Sequence, residues 1–317
     1  MEAKGIKHIT VVGAGTMGHR IGQEFARAGY DVILRDCEEE ILVRAKANVQ
    51  RNLQQMAEWH LISSDAIHPI FNRMRFTTSL QEAACDADLV VEAVVEDLAV
   101  KQEVFRELDQ VCPERTVLAS NTSSLMPSAL ASVTERPDRV LVAHFIYPPH
   151  LMPLVEIVRC PSTSDETVQA VYGALKAAGK HPVILQKEAI GFIINRLQIA
   201  LFHEALTIVD RGIASAQDVD VAVKESFGRR MAVAGPFEMI EIMDGWDALL
   251  KVMNYILPDL NASREPTPLI RKMVKDGALG AKRGTDGFYE WPPGAADAWS
   301  KKLESFLAEF ASRDMAS

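Results

Sequence analysis

The chain has 317 residues, of which 48% are hydrophobic, and a formal net charge of −9. This length predicts two domains, and the composition is typical of a soluble globular protein. The acidic balance argues against nucleic acid as a main partner, because phosphate binding needs a basic surface, but it permits a small anionic substrate.

The first part of the chain alternates between short apolar runs and longer helical patterns. The runs that predict strands cover residues 9–12, 32–34, 89–95, 117–119, 140–145, 154–158 and 183–185. Several of them lack polar alternation, as expected for strands that are buried on both faces of a parallel sheet. The pattern predicts an α/β fold with a doubly wound, Rossmann-type sheet.

A glycine-rich segment follows the first apolar run and opens a helix predicted for residues 17–28. Its sequence, Gly13-Ala14-Gly15-Thr16-Met17-Gly18, fits the motif G-x-G-x-x-G in the context that dinucleotide binding requires. Gly13 would make the tight turn, Gly15 would let the backbone approach a pyrophosphate, and Gly18 would let the helix pack on the strand. Thr16 and Met17 lie at the helix start, whose N–H groups would bind the pyrophosphate.

Asp36 follows the second predicted strand, 18 residues after Gly18. Its carboxylate is predicted to accept hydrogen bonds from the adenosine ribose and to repel a 2′-phosphate, which favours NAD over NADP as cofactor. The neighbouring Arg35 would point to the opposite face of the strand. The alternative is a simple glycine turn followed by a solvent-facing aspartate.

Polar side chains mark the ends of the later strands, where ligands bind in open α/β sheets. His144 lies near the end of the run 140–145, and Glu156 lies inside the apolar run 154–158. A buried carboxylate needs a partner, and a histidine is a suitable one. Alcohol oxidation needs a base that works near neutral pH, and a carboxylate behind the histidine would orient its ring. The pattern alone does not distinguish this catalytic role from a purely structural role for the two residues.

The second part of the chain, from Phe192 onward, shows helical periodicity and no series of strands. We therefore place the domain boundary near residue 188. Residues 1–188 are predicted to form an NAD-binding Rossmann domain, and residues 189–317 an all-helical domain for substrate binding and dimerisation.

Nothing in the sequence indicates a secreted, membrane or metal protein. The first residues lack the apolar core of a signal peptide, and no apolar run is long enough to span a bilayer. The four cysteines have no metal-type spacing and are predicted to be isolated thiols. We expect a cytoplasmic protein without a bound metal.

Several motifs resemble the L-3-hydroxyacyl-CoA dehydrogenase family, including its L-gulonate 3-dehydrogenase and lambda-crystallin branch. The resemblance covers nearly the whole chain. It rests on the glycine loop, on His144 with Glu156 twelve residues later, and on the segments 91–101 (VEAVVEDLAVK), 120–124 (SNTSS), 191–196 (GFIINR) and 235–238 (GPFE).

The resemblance implies catalytic roles for four residues. His144 resembles the catalytic base and Glu156 its carboxylate partner. Ser123 and Asn195 resemble the groups that hydrogen-bond the reacting oxygen, where charge develops in the transition state.

The resemblance also implies that Glu96 and Lys101 line the cofactor side of the cleft, that NAD is the cofactor, and that the helical domain forms a homodimer. An apolar helical face in this domain agrees with a dimer, although it could instead pack within one subunit. The face comprises Ile194, Leu197, Leu201 and Ala205.

Some sequence features favour a free hydroxy acid as substrate, and others favour an acyl-CoA thioester. Tyr147-Pro148 stands where acyl-CoA enzymes usually have Asn-Pro, and the segment 57–65 has no lysine where those enzymes are lysine-rich near the CoA phosphates. Arg229-Arg230 resembles the gulonate branch, whereas the segment 284–289 (GTDGFY) resembles the acyl-CoA branch.

We therefore predict NAD-dependent oxidation of the 3-hydroxyl of a small L-3-hydroxy acid, with Arg230 binding the substrate carboxylate as a bidentate clamp. Alternatively, Arg229 and Arg230 are surface residues in weak ion pairs. The alternative function is an L-3-hydroxyacyl-CoA dehydrogenase of fatty-acid or butanoate metabolism, for example on 3-hydroxybutanoyl-CoA. A non-catalytic, crystallin-like structural protein is the third possibility, and the complete set of Ser123, His144, Glu156 and Asn195 argues against it.

Overall fold

A computed structural model describes residues 5–316 of the chain. Their contacts form two units. One contains the chain through Asn195 together with the C-terminal segment from Ser300, and the other is Arg196–Trp299. The segments 189–195 and 300–316 thus lie with the sheet, although both were predicted to belong to the helical domain.

The first unit is built on an eight-stranded sheet with the order β3-β2-β1-β4-β5-β6-β7-β8. Its strands are β1 (His8–Val12), β2 (Asp31–Arg35), β3 (Met74–Thr77), β4 (Leu89–Glu92), β5 (Val117–Ser120), β6 (Val140–Phe145), β7 (Leu154–Arg159) and β8 (His181–Leu185). Neighbouring strands are parallel except for the pair β6–β7, which is antiparallel. This topology confirms the predicted Rossmann-type sheet.

Helices cover both faces of the sheet. They are α1 (Gly18–Arg27), α2 (Glu39–Glu58), α3 (Ile67–Asn72), α4 (Leu80–Ala84), α5 (Leu98–Val111), α6 (Pro127–Ala131) and α7 (Asp165–Ala177). Every residue of β4, β5 and β6 is buried. This complete burial explains why these strands have continuous apolar runs instead of alternating ones.

Two strands differ from the sequence prediction. Strand β3 was not predicted, because its four residues include the polar Arg75 and Thr77 and form no apolar run. The predicted strand 89–95 ends at Glu92, because the Glu92 Oε1 atom accepts the Val94 N–H at 2.7 Å and the chain turns there.

The remaining helices are α8 (Ile194–Asp210), α9 (Ala216–Lys224), α10 (Phe227–Arg230), α11 (Pro236–Met239), α12 (Trp246–Ile256), α13 (Pro268–Lys275) and α14 (Ala295–Ala316). From Ser300 onward, α14 belongs to the first unit. Its Ala308 packs in a buried cluster with Met56, Leu61 and Leu151. No helix within residues 5–316 is both long and apolar enough to span a membrane.

The second unit has an unusual distribution of burial. Among the described side chains of Arg196–Trp299, the buried ones are Thr207 and Thr267 alone. Large apolar side chains are exposed along the same unit, including Leu197, Ile199, Phe202, Trp246, Leu250 and Tyr255. A helical unit of this kind leaves its apolar surface uncovered in a single chain.

Candidate active site

The glycine loop joins β1 to α1 and comes very close to neighbouring backbone. Gly13 has a φ of +100°, and a Cβ atom built there would lie 2.6 Å from the Ala93 carbonyl oxygen. A Cβ atom at Gly18 would lie 1.7 Å from the Gly13 carbonyl oxygen, whereas one at Gly15 would meet nothing within 4 Å. The loop is therefore packed at its two ends and open at Gly15, which suits close approach of a phosphate group.

The start of α1 completes this loop. Thr16 and Met17 precede the first helical residue, Gly18. The Thr16 carbonyl accepts a hydrogen bond from the Arg20 guanidinium at 2.9 Å. The first N–H groups of a helix have no partner within the helix and carry partial positive charge, so this end suits an anion.

Asp36 lies immediately after β2 and is largely buried. Its Oδ2 atom accepts the Ala14 N–H at 2.7 Å, so the carboxylate also holds the glycine loop in place. The other oxygen, Oδ1, lies 3.4 Å from the Glu38 backbone nitrogen. The structure thus brings the predicted ribose-binding residue directly beside the predicted pyrophosphate loop.

His144 and Glu156 form a buried hydrogen-bonded pair on two later strands of the sheet. The His144 Nδ1 atom lies 2.8 Å from Glu156 Oε2. The two residues face each other across the antiparallel pair β6–β7. Because a carboxylate can only accept, the Nδ1–H of His144 donates to it. The neutral imidazole then has its lone pair on Nε2, which is the atom that can take a proton.

The second oxygen of Glu156 is bound by backbone. Its Oε1 atom accepts the N–H groups of Ile193 and Ile194 at 2.8 and 3.1 Å. Burial alone would raise the pKa of this carboxyl, but the hydrogen bonds from His144, Ile193 and Ile194 outweigh it and hold the pKa below its ordinary value. Glu156 therefore stays ionised and can stabilise an imidazolium at His144.

The turn before α8 directs these N–H groups at Glu156. Phe192 in this turn has a φ of +51°, in the left-handed region that non-glycine residues seldom adopt. Its side chain is buried, and its ring centroid lies 5.5 Å from that of His144. The strained turn is therefore held by packing of Phe192 against the histidine.

Ser123 lies in a polar turn after β5 that is held by Glu96. The Glu96 Oε1 atom accepts the Thr122 hydroxyl at 2.6 Å, the Ser123 N–H at 3.0 Å and the Ser124 hydroxyl at 3.0 Å. The Ser123 hydroxyl lies farther away, at 3.4 Å. Burial opposes ionisation of Glu96, but these hydrogen bonds and the charge of Lys101 outweigh it and lower its pKa.

Asn195 and Asn121 tie this turn to its surroundings. The Asn195 Nδ2 group donates to the Ser123 backbone carbonyl at 2.8 Å. The Asn121 Oδ1 atom accepts the N–H of Phe145, the residue after His144, at 2.8 Å. These contacts join Asn195 to Ser123, and they join Asn121, two residues before Ser123, to the residue that follows His144.

Lys101 on α5 is buried, with its ammonium group inside the protein. Its Nζ atom lies 2.7 Å from Glu92 Oε1 and 3.4 Å from Glu96 Oε2. Glu92 belongs to the motif segment 91–101, but no role was predicted for it from the sequence. An acid inside an apolar strand needs a partner, and this criterion, which singled out Glu156, applies equally to Glu92.

Arg230, the predicted carboxylate clamp, lies in the second unit at the end of α10. It is exposed, and its Nη1 atom lies 3.6 Å from the Met243 sulfur. The neighbouring Arg229 is exposed and paired with Glu225. The role of Arg230 as a clamp stays a prediction.

Comparison with known families accounts for nearly all of the chain. A family model described as "3-hydroxyacyl-CoA dehydrogenase, NAD binding domain" matches residues 8–189. A second, "3-hydroxyacyl-CoA dehydrogenase, C-terminal domain", matches residues 191–291. The C-terminal helix α14 lies beyond both matches.

Two curated relatives illustrate the similarity. The chain is 36% identical over 300 residues to the human mitochondrial hydroxyacyl-coenzyme A dehydrogenase, covering 90% of this chain and 91% of the relative. It is 37% identical over 287 residues to a probable 3-hydroxybutyryl-CoA dehydrogenase of Bacillus subtilis, covering 90% and 98%. These relatives support the resemblance to the family but not specifically its gulonate or lambda-crystallin branch.

Solved structures agree with the fold. The (S)-3-hydroxybutyryl-CoA dehydrogenase of Ralstonia eutropha superposes with a TM-score of 0.76 at 32% identity, covering 90% of this chain and 99% of that one. A 5-formyl-3-hydroxy-2-methylpyridine 4-carboxylic acid 5-dehydrogenase, described as an NAD⁺-dependent dismutase, superposes with a TM-score of 0.88 at 28% identity, covering 98% and 99%.

Proposed function

The chain belongs to the 3-hydroxyacyl-CoA dehydrogenase family and is an NAD-dependent oxidoreductase, and from this premise we propose that it oxidises the 3-hydroxyl of an L-3-hydroxyacyl-CoA thioester. The observation that carries the proposal is the His144–Glu156 pair, in which Nδ1 is bound to the carboxylate and Nε2 is left to accept a proton. The names of the relatives favour the thioester, which was the alternative in the sequence prediction, over the free hydroxy acid that was its main choice.

The residues of the first unit fit NAD. Gly15 leaves room beside the backbone, while Gly13 and Gly18 allow contacts that no side chain would permit. Asp36 places a carboxylate next to this loop, where the ribose hydroxyls would bind. When bound, NAD⁺ supplies the acceptor for the hydride that leaves the substrate carbon.

The chain's own part in the reaction is to take the hydroxyl proton. His144 Nε2 accepts it, and the positive charge that forms on the ring is balanced by Glu156. The two backbone N–H groups on Glu156 Oε1 keep that carboxylate in position while His144 takes up and releases the proton. Ser123 and Asn195 are proposed to hydrogen-bond the reacting oxygen as charge develops on it.

A smaller, free carboxylic acid is a second candidate substrate. The structure with a TM-score of 0.88 is a dehydrogenase of a pyridine carboxylic acid, and its match extends over 98% of this chain. The segment 57–65 lacks lysine. Residues Trp59, Leu61 and Ile62 of this segment pack with α14. The segment 57–65 itself therefore offers no lysine to the phosphates of a CoA group.

We also propose that the protein is a homodimer formed through the helical unit. The support is the scarcity of buried side chains among the described residues of Arg196–Trp299, together with the exposed apolar residues of α8. A second copy would cover a surface that this chain leaves in contact with water.

A substrate panel tests the proposed function. The purified protein is assayed by NADH absorbance with (S)-3-hydroxybutanoyl-CoA and with free L-3-hydroxy acids, each at several concentrations. A higher kcat/KM for the thioester supports the main proposal, and a higher value for the free acids supports the second candidate. Absence of NAD-linked turnover with both classes would contradict the proposed chemistry.

A further inference from the structure

Glu92 is a fully buried carboxylate that the proton-transfer chemistry does not use. It lies at the last position of β4 with 0% exposure. Its Oε1 atom accepts the Val94 N–H at 2.7 Å and lies 2.7 Å from the Lys101 ammonium. Its Oε2 atom accepts the Ser120 hydroxyl at 2.6 Å. Both oxygens are therefore fixed by groups from three different segments.

Lys101 connects this carboxylate to a second one. Its side chain is 1% exposed, so its ammonium group needs counter-charge within the protein. Glu92 provides that charge at 2.7 Å, and the Val94 carbonyl accepts a further hydrogen bond at 3.3 Å. Glu96 is also near, with its Oε2 atom 3.4 Å from the same ammonium group. The position of Lys101 thus depends on Glu92 and affects Glu96.

Glu96 in turn holds the turn that carries Ser123. Its Oε1 atom binds the Thr122 hydroxyl and the Ser123 N–H, while Oε2 faces Lys101. The Thr122 Oγ1 atom then accepts the N–H groups of Ser124 and Leu125, at 3.3 and 3.0 Å. The contacts therefore run without a break from the buried Glu92 to the backbone on both sides of Ser123.

We propose that Glu92 is a positioning residue: by fixing Lys101 it fixes Glu96, and Glu96 holds the turn that presents the Ser123 hydroxyl to the reacting oxygen. The kinetic part of this inference rests on the proposed function, since Ser123 has its role from there. The structural part, that Glu92 orders residues 122–125, concerns the protein without any ligand.

The test is Glu92→Gln, which keeps the size of the side chain and removes its charge. Hydrogen–deuterium exchange of the protein without cofactor should become about tenfold faster in the peptide that contains Ser123, Ser124 and Leu125, because their N–H groups lose fixed acceptors. In the same variant kcat should fall about tenfold to a hundredfold, because a misplaced donor acts mainly in the transition state. KM for the substrate should rise by a smaller factor than this.

Glu24→Gln is the matched control. Glu24 is the carboxylate of another buried pair, with Lys180 at 2.8 Å. Its other ion-pair partner is Arg27 on its own helix α1. Neither partner takes part in the contacts that connect Glu92 to the turn 122–125. Both variants should lose thermal stability, because each leaves a buried lysine without its nearest counter-charge. Only Glu92→Gln should change the exchange of residues 122–125.

Three outcomes decide the inference. Unchanged exchange and unchanged kcat in Glu92→Gln overturn it. Equal changes in Glu24→Gln also overturn it, because general destabilisation would then explain them. If the wild-type protein oxidises neither substrate class, the proposed function fails, and the exchange measurement still decides whether Glu92 orders the turn.

Discussion

His144 and Glu156 are directly opposed residues in the one antiparallel pair among the described strands, and their side chains meet at 2.8 Å. Directly opposed residues of such a pair have Cβ atoms about 4.5–5.5 Å apart, which brings an imidazole and a carboxylate into contact without an intervening water. The reversal of chain direction between β6 and β7 thus creates the candidate acid–base pair.

We predict that His144 and Glu156 act as one unit. His144→Ala should lower kcat by about 10²-fold or more, the usual effect of removing a positioned base. Glu156→Gln should lower kcat as well, because the imidazolium loses its counter-charge. The double variant should be little worse than His144→Ala alone, since the carboxylate has no role without the ring. Steady-state kinetics with NADH detection measures kcat for the three variants. A loss of kcat in the double variant equal to the product of the two single losses would contradict this coupling.

Asp36 should determine the preference for NAD over NADP. Its carboxylate both faces the predicted ribose site and accepts the Ala14 N–H, so two variants are needed to separate the effects. Asp36→Asn keeps an acceptor for Ala14 and removes the charge. It should therefore bring the ratio of kcat/KM for NAD to kcat/KM for NADP closer to one. Asp36→Ala should also raise KM for NAD, because the loop loses its anchor. Equal use of NAD and NADP by the wild-type protein would contradict the assignment.

The sequence was sufficient for the parts of the fold that have strong periodicity. The glycine loop and the buried central strands follow from local patterns. The same patterns and the family resemblance singled out His144, Glu156, Ser123 and Asn195, whose catalytic roles stay predictions. Strand β3 could not be recognised, since its burial comes from neighbouring elements and not from an apolar run of its own.

Contacts between segments that are distant in sequence are the other feature that the sequence did not predict. The antiparallel direction of β7 depends on how the chain returns to the sheet, which no local pattern records. The packing of α14 on Met56 and Leu151 joins segments that are far apart in sequence, so no local pattern predicts it.

His150 should make the protein less stable in mild acid. Burial lowers the pKa of His150 to about 4, with Glu24 acting in the opposite direction and Arg20, Lys180 and His19 adding to the lowering. An unfolded histidine has a pKa of about 6.5 and binds the proton more tightly, so the unfolded state gains stability as the pH falls from about 6.5 to 4. This linkage costs the folded state about 2 kcal/mol at pH 5.

His150→Gln removes this titration, so the free energy of unfolding of the variant relative to wild type should rise as the pH is lowered from about 7.5 to about 5. Denaturant unfolding at several pH values measures it. His68→Gln, at an exposed histidine, is the control for the effect of the substitution itself. A difference for His150→Gln that is constant across this range would show that His150 is not held neutral.

The helical unit should hold two copies of the chain together. Light scattering at micromolar concentration should give about twice the chain mass of 35.0 kDa. Leu197→Glu with Leu201→Glu should lower the measured mass, because both side chains are exposed on α8 in the single chain and would be covered in the dimer. Val43→Glu, a comparably exposed position on α2, serves as the control. A wild-type protein that is monomeric would rule out the proposed dimer.

If the second candidate holds and free hydroxy acids are substrates, Arg230 should distinguish them from thioesters. Its guanidinium contacts the Met243 sulfur, whereas Arg229 already has a carboxylate partner in Glu225, so Arg230 is the better candidate for a substrate carboxylate. Arg230→Lys should raise KM for free hydroxy acids about tenfold, because lysine cannot reproduce a planar, two-point contact and the loss of one charge-assisted hydrogen bond is about 1.5 kcal/mol. The same change should leave KM for 3-hydroxybutanoyl-CoA nearly unaltered, since that substrate has no free carboxylate at this end. Arg229→Lys is the matched control and should alter neither value. Efficient oxidation of the thioester, no activity on free acids and no effect of Arg230→Lys would reject the clamp and retain the same catalytic residues for the acyl-CoA reaction.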